Sequence, residues 1–96
     1  MITKQQTETT LCVQRRFFDA LDAIIQNRQL KGLKTFCTSY GLNRTKYSRL
    51  RESIRTNVTG QYHNIDIDAL AYIVTDYGIN AAWLLTGNGD MFTPKQ

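Results

Sequence analysis

An all-α protein of five short helices is the architecture expected from this sequence, and three observations carry that expectation. Apolar side chains recur at intervals of three and four residues in every longer segment, the spacing of one face of an α-helix. Glycines stand where these repeats stop, at Gly41, Gly78 and Gly87, and glycine suits the left-handed backbone that closes a helix. No alternation of apolar and polar residues is long enough to compete as a strand.

The elements follow in order. Phe17, Phe18, Leu21, Ile24 and Ile25 share a face of a first helix over Thr10 to Gln26, while Arg15, Arg16, Asp19 and Asp22 fall elsewhere on its surface. Thr9 or Thr10 supplies its N-cap hydroxyl, and Asn27 to Gly32 reads as a connection. Leu33, Phe36, Cys37 and Tyr40 define a short second helix that meets Gly41. Asn43 then caps a third helix from Arg44 to about Ser53 or Arg55, with Tyr47, Leu50 and Ile54 inward. Thr56 to Asn64 is polar and turn-rich around Gly60, an exposed loop. In a fourth helix Ile67, Leu70, Ala71, Val74 and Tyr77 are the expected buried stripe, with Asn64 or Asp66 as cap and Gly78 as stop. Asn80 caps a fifth helix, Ala81 to Thr86, and Gly89 lets Asp90 to Phe92 fold back before Pro94 ends regular structure.

A chain of 96 residues suits one domain, expected over 10–93, with a flexible segment at 1–9 and a tail at 94–96. The polar opening MITKQQTETT does not read as a signal peptide, and no apolar run reaches the length of a membrane span, so a cytoplasmic protein is expected. Cys12 and Cys37 lack metal-ligand spacing and read as reduced thiols, with the single histidine, His63, far from both in a polar loop. Solvation or donation to a phosphate is the role expected of His63. Neither a carboxylate pair nor a nucleophile and base occur at a spacing that would join them, so no catalytic residue, cofactor, metal or small-molecule substrate is expected.

Charge is distributed unevenly. From Arg28 to Arg55 eight basic residues face one acid, Glu52, for a net of +7, whereas the rest of the chain is net −3. Such a block is an electrostatic footprint for a polyanion, of which nucleic acid is the commonest. It coincides with two helices joined by a short glycine turn, the arrangement that sets a second helix into the DNA major groove. With Tyr47, Leu50 and Ile54 inward, Arg44, Thr45, Ser48 and Arg49 lie outward in the third helix, flanked by Lys46, Arg51, Glu52 and Arg55. Arginine can donate two parallel hydrogen bonds to guanine, and hydroxyls adapt to several base edges, so Arg44, Thr45, Ser48 and Arg49 are the expected base contacts. Phosphate contacts need only charge or a donor. Lys31 and Lys34, at the start of the second helix, are the first candidates, followed by Lys46, Arg51, Arg55, Thr56 and Asn57.

The stretch from Leu33 to Leu50, with Cys37 four residues before Gly41-Leu42 and then Tyr47-Ser48 and Leu50, resembles the helix-turn-helix of lambda-repressor-like (Cro/CI, XRE-type) proteins. The closing INAAWLLTGNGDMF is similar to the ending of phage-repressor N-terminal domains. This resemblance implies a compact five-helix DNA-binding domain, recognition through the third helix and a homodimer on a roughly symmetric double-stranded operator. Leu33 stands where the family often has a backbone-contacting glutamine. Arg51 and Ser53 replace a common Glu and Gly, which implies a longer or differently angled exit from the third helix. Repression is the regulatory sense expected, since no segment is left over for activation or ligand sensing. The alternative is a protein-binding adaptor or antitoxin on the same fold. Trp83, Leu84, Leu85, Met91 and Phe92 read first as core and closing pack, and second as a dimer contact, with the first helix as the other dimer surface.

Overall fold

A computed structural model describes residues 8–56 and 64–93. Asn57, His63, the rest of the loop through residue 63, the segment 1–7 and the tail 94–96 lie outside the described residues. Among the described residues five helices follow one another: α1 (Glu8–Gln26), α2 (Leu33–Tyr40), α3 (Arg44–Thr56), α4 (Ile67–Tyr77) and α5 (Ala81–Thr86). No helix among the described residues is long and apolar enough to cross a membrane.

The longest element, α1, is the hub, with α3, α4 and α5 packed against it and α2 against α3. Its inward stripe is the expected one. Phe17, Phe18, Leu21 and Ile24 are buried, and the Phe17 ring meets those of Phe18 and Phe36 edge to face at ring separations of 5.1 and 5.9 Å. These T-shaped contacts suit the opposite charge of ring face and ring edge. The helix begins at Glu8, so Thr9 and Thr10 are first-turn residues and not the expected cap. Glu8 places negative charge where the helix dipole favours it.

Between α2 and α3 the chain turns through Gly41 to Asn43. Gly41 adopts φ 68° and its N–H donates to the Cys37 carbonyl. A side chain at that backbone conformation costs about 1–2 kcal/mol, which is why glycine closes α2. Asn43 caps α3 as its sequence position implies, its side-chain oxygen accepting from the Lys46 N–H at 3.0 Å. Thr56 belongs to α3 and not to the loop, and its hydroxyl donates to the Glu52 carbonyl at 2.8 Å.

The register of α4 differs from expectation. Ala69 and Ile73 are its buried residues, Leu70, Val74 and Tyr77 are half-buried, Ala71 is exposed, and Ile67 is 81% exposed. The helix is therefore rotated by about one residue, roughly 100°, from the expected stripe. Apolar side chains occur on nearly every side of Ile67–Tyr77, so periodicity alone left its facing undetermined. Asp66 precedes the helix but its carboxylate makes no capping bond, being engaged elsewhere.

The closing segment is held by local chemistry. Asn80 caps α5, accepting from the Ala82 N–H at 3.1 Å, and Ile79 pairs with Phe92 in an isolated antiparallel bridge. The returning tail is fixed by Asn80 N–H to the Met91 carbonyl and Thr93 N–H to the Gly78 carbonyl, both at 2.8 Å. Ile79 and Leu84 are fully buried, with Trp83, Met91 and Phe92 packed half-buried against the core and Leu85 50% exposed. Arg16 reaches from α1 to donate to the Leu84 and Leu85 carbonyls at 2.8 and 3.2 Å, which satisfies open acceptors at the end of α5. A side chain at Gly87 would be strained by its φ of 83°, and its Cβ, 3.3 Å from that guanidinium, would require the Arg16 tip to give by a few tenths of an ångström. Both Cys12, exposed on α1, and Cys37, in the core, are free.

Candidate nucleic-acid interface

The outer side of α3 is set by what lies beneath it. Tyr47 and Leu50 are fully buried and Ile54 is half-buried against the core, which turns the opposite side of the helix to solvent. Arg44, Thr45, Ser48 and Arg49 are all exposed on it. Neither arginine enters an ion pair among the described residues. Glu52 is exposed on the same side, 3.9 Å from Arg55. The first turn of α2 adds Lys34, exposed, with Lys31 just before it. Gly32 caps that helix without a side-chain hydrogen bond, which leaves first-turn amides open to an anion.

Two of the cations proposed from sequence for phosphate contact are otherwise engaged. Lys46 Nζ lies 3.1 Å from Asp66 Oδ1 and 5.7 Å from the centre of the Tyr47 ring, and its side chain is 22% exposed. Arg51 donates through a terminal nitrogen to Asp22 on α1, with 27% of its side chain exposed. Arg51 Nε is buried without a hydrogen-bond partner, so a single nitrogen carries the pairing. Both aspartates are about half exposed, and ion pairs of that kind contribute roughly 0–1 kcal/mol to stability. Their larger effect is on which charges the α3 surface presents.

Asp66 also holds the helix through Tyr47. The phenol donates to Asp66 Oδ2 at 2.8 Å and accepts from the Asp66 N–H at 3.0 Å, a reciprocal pair. The bond from Tyr47, then those from Lys46, hold the Asp66 carboxyl below its ordinary value despite partial burial. Burial in turn pushes the Tyr47 phenol well above the usual tyrosine range. At neutral pH Asp66 is therefore a carboxylate and Tyr47 a phenol, each in the state the other requires. The sequence offers Asp66 only as a cap of the fourth helix and Asp22 only as a surface residue of the first, and joins neither to Lys46 or Arg51. Asp22 and Asp66 lie 29 and 20 residues from their partners, so no helical spacing could have joined them.

On the α2 side, Tyr40 stacks on Tyr72 of α4 at 4.2 Å and 12°, and its hydroxyl donates to Asp76 at 2.5 Å. This pins the end of α2 to α4, so the Gly41 turn starts from a fixed point. A rigid, outward, arginine-bearing helix beside a lysine-bearing helix start can donate to phosphate oxygens and base edges. Compared with family models, curated proteins and solved structures, the chain matches none.

Proposed function

We propose that this protein binds double-stranded DNA sequence-specifically and regulates transcription, as a repressor that occupies an operator as a homodimer. The observation that carries this reading is the outward side of α3, where Arg44, Thr45, Ser48 and Arg49 are exposed with no ion pair on either arginine among the described residues. The fold is five-helix and lambda-repressor-like in this reading, with α2 and α3 as the helix-turn-helix. Its basis is the Gly41 turn and the sequence resemblance around it. The first turn of α3 enters the major groove, Arg44 and Arg49 read guanine, and Lys31, Lys34 and Arg55 contact phosphate.

Selection of bound duplexes from a random-sequence pool tests the proposal. An enriched pair of inverted half-sites is expected, since a two-fold symmetric dimer reads a two-fold symmetric site. Arg44→Ala or Arg49→Ala should relax preference at one or two base pairs, at about 1–3 kcal/mol each. Lys34→Ala should weaken all sequences alike and lower the salt slope by about one. No enrichment, together with duplex affinity that none of these changes alters, would overturn the proposal in favour of the adaptor.

A further inference from the structure

We infer that Asp22 and Asp66 are specificity-determining residues, which withhold Arg51 and Lys46 from the DNA backbone and so limit the sequence-independent part of binding. The inference rests on the DNA-binding reading above. It starts from helical geometry. At 100° per residue, Arg44, Arg51 and Arg55 fall along one edge of α3, and Lys46 falls near the other. Arg44 and Arg55 are exposed, whereas Arg51 between them is drawn back to Asp22. Without that aspartate the edge would present three arginines in a row. On the other edge Asp66 draws Lys46 toward the start of α4.

The physical consequence concerns two kinds of contact. Each cation that meets a phosphate releases counterions and tightens binding to every sequence equally, while base contacts tighten binding to the matching sequence alone. Taking two cations off the edges of α3 leaves its base-facing residues in place and lowers the affinity for random duplex. The ratio of specific to non-specific affinity therefore rises. Neither pair is built mainly for stability. Both aspartates are about half exposed, and Arg51 is held through a single nitrogen with its Nε unpartnered. A groove of about 450 Å³ between α1 and α3, bordered by Arg15, Asp19, Asp22, Arg51 and Arg55, gives the Arg51 side chain room to swing outward once released.

The test measures affinity for random duplex and for selected duplex across 50–200 mM salt. Asp22→Asn and Asp66→Asn should each tighten random-duplex binding and steepen the slope by about 0.9, an additional loss of about 3.5-fold across that range. The ratio of selected to random affinity should fall. Asp90→Asn makes the same change in net charge on an exposed residue far along the chain, and should leave the slope unaltered. The paired variants Asp66→Asn/Lys46→Gln and Asp22→Asn/Arg51→Gln should return to the wild-type slope. Slopes for the single variants equal to that of Asp90→Asn, or paired variants that stay steep, would overturn the inference. Asp66→Asn also alters the bond to Tyr47, so should it fail to fold, the Asp22 arm decides alone. A wild-type protein that binds no duplex overturns the proposed function itself, whereas binding with unaltered slopes overturns only this inference.

Discussion

The two halves of this protein use their polar side chains in opposite ways. From Arg28 to Arg55 the chain is net +7, and most of that charge stands in solvent on α2, α3 and the segment before them. From Thr56 to Pro94 it carries no lysine or arginine and four aspartates. Polar groups there close the structure: Asn80 caps α5, Asp76 receives the Tyr40 hydroxyl, and Asp66 holds Tyr47 and Lys46. One half presents charge outward, and the other braces the elements that present it. Changes to outward groups in the first half should therefore alter binding with stability within about 0.5 kcal/mol of wild type, as for surface substitutions generally. Changes to the bracing groups of the second half, Asp66 aside because it also withholds Lys46, should do the reverse.

The sharpest contrast is expected from the core. Leu84→Ala removes a fully buried side chain that closes α5 onto α1, and should lower unfolding free energy by about 2–5 kcal/mol in a denaturant titration. Duplex affinity at a temperature where the variant stays folded should be unaltered. Loss of DNA binding by a fully folded Leu84→Ala protein would break the division between the halves. Next comes Arg16→Ala, which frees the Leu84 and Leu85 carbonyls of their charged donor, for about 1–2 kcal/mol. Although Arg16 is basic, salt dependence of DNA binding should not respond to it. Asn80→Ala follows at about 1 kcal/mol, the usual effect of losing an N-cap.

The smallest effect belongs to pH. The Asp66 carboxyl lies below its ordinary value in the folded protein, so its contribution to stability is full above the unfolded carboxyl's pKa and is lost as pH falls through the folded one. The window is thus on the acid side of the ordinary aspartate value of 3.8. Thermal melts of wild type and Asp66→Asn should converge as pH is lowered through that range, the variant showing the shallower acid limb. Parallel limbs would show that the Asp66 cluster braces α3 by packing alone.

Much of this architecture could be read from local chemistry. Gly41, Gly78 and Gly87 end their helices with left-handed backbone, and Asn43 and Asn80 cap theirs, because these effects depend on a residue and its neighbours within one turn. The inward stripes of α1, α2 and α3 were equally clear, since each has one apolar and one polar side. Two features were hidden. In α4, apolar residues surround the helix, and its facing depends on the surface it meets, so Ala69 and Ile73 enter the core while Ile67 does not. The α1 terminus showed a smaller difference, because two threonines in succession offered a cap that the helix overran.

Composition and spacing settled where α2, α4 and α5 stop and which segment concentrates positive charge, for such properties belong to short stretches of chain. Packing settled how that charge is presented. Arg51 and Lys46 look identical in kind to Arg49 and Lys34 along the chain, yet they meet aspartates 29 and 20 residues away while the other two meet solvent. Coulomb attraction acts through space and falls with distance, so its partners exist only once separate helices have been brought together.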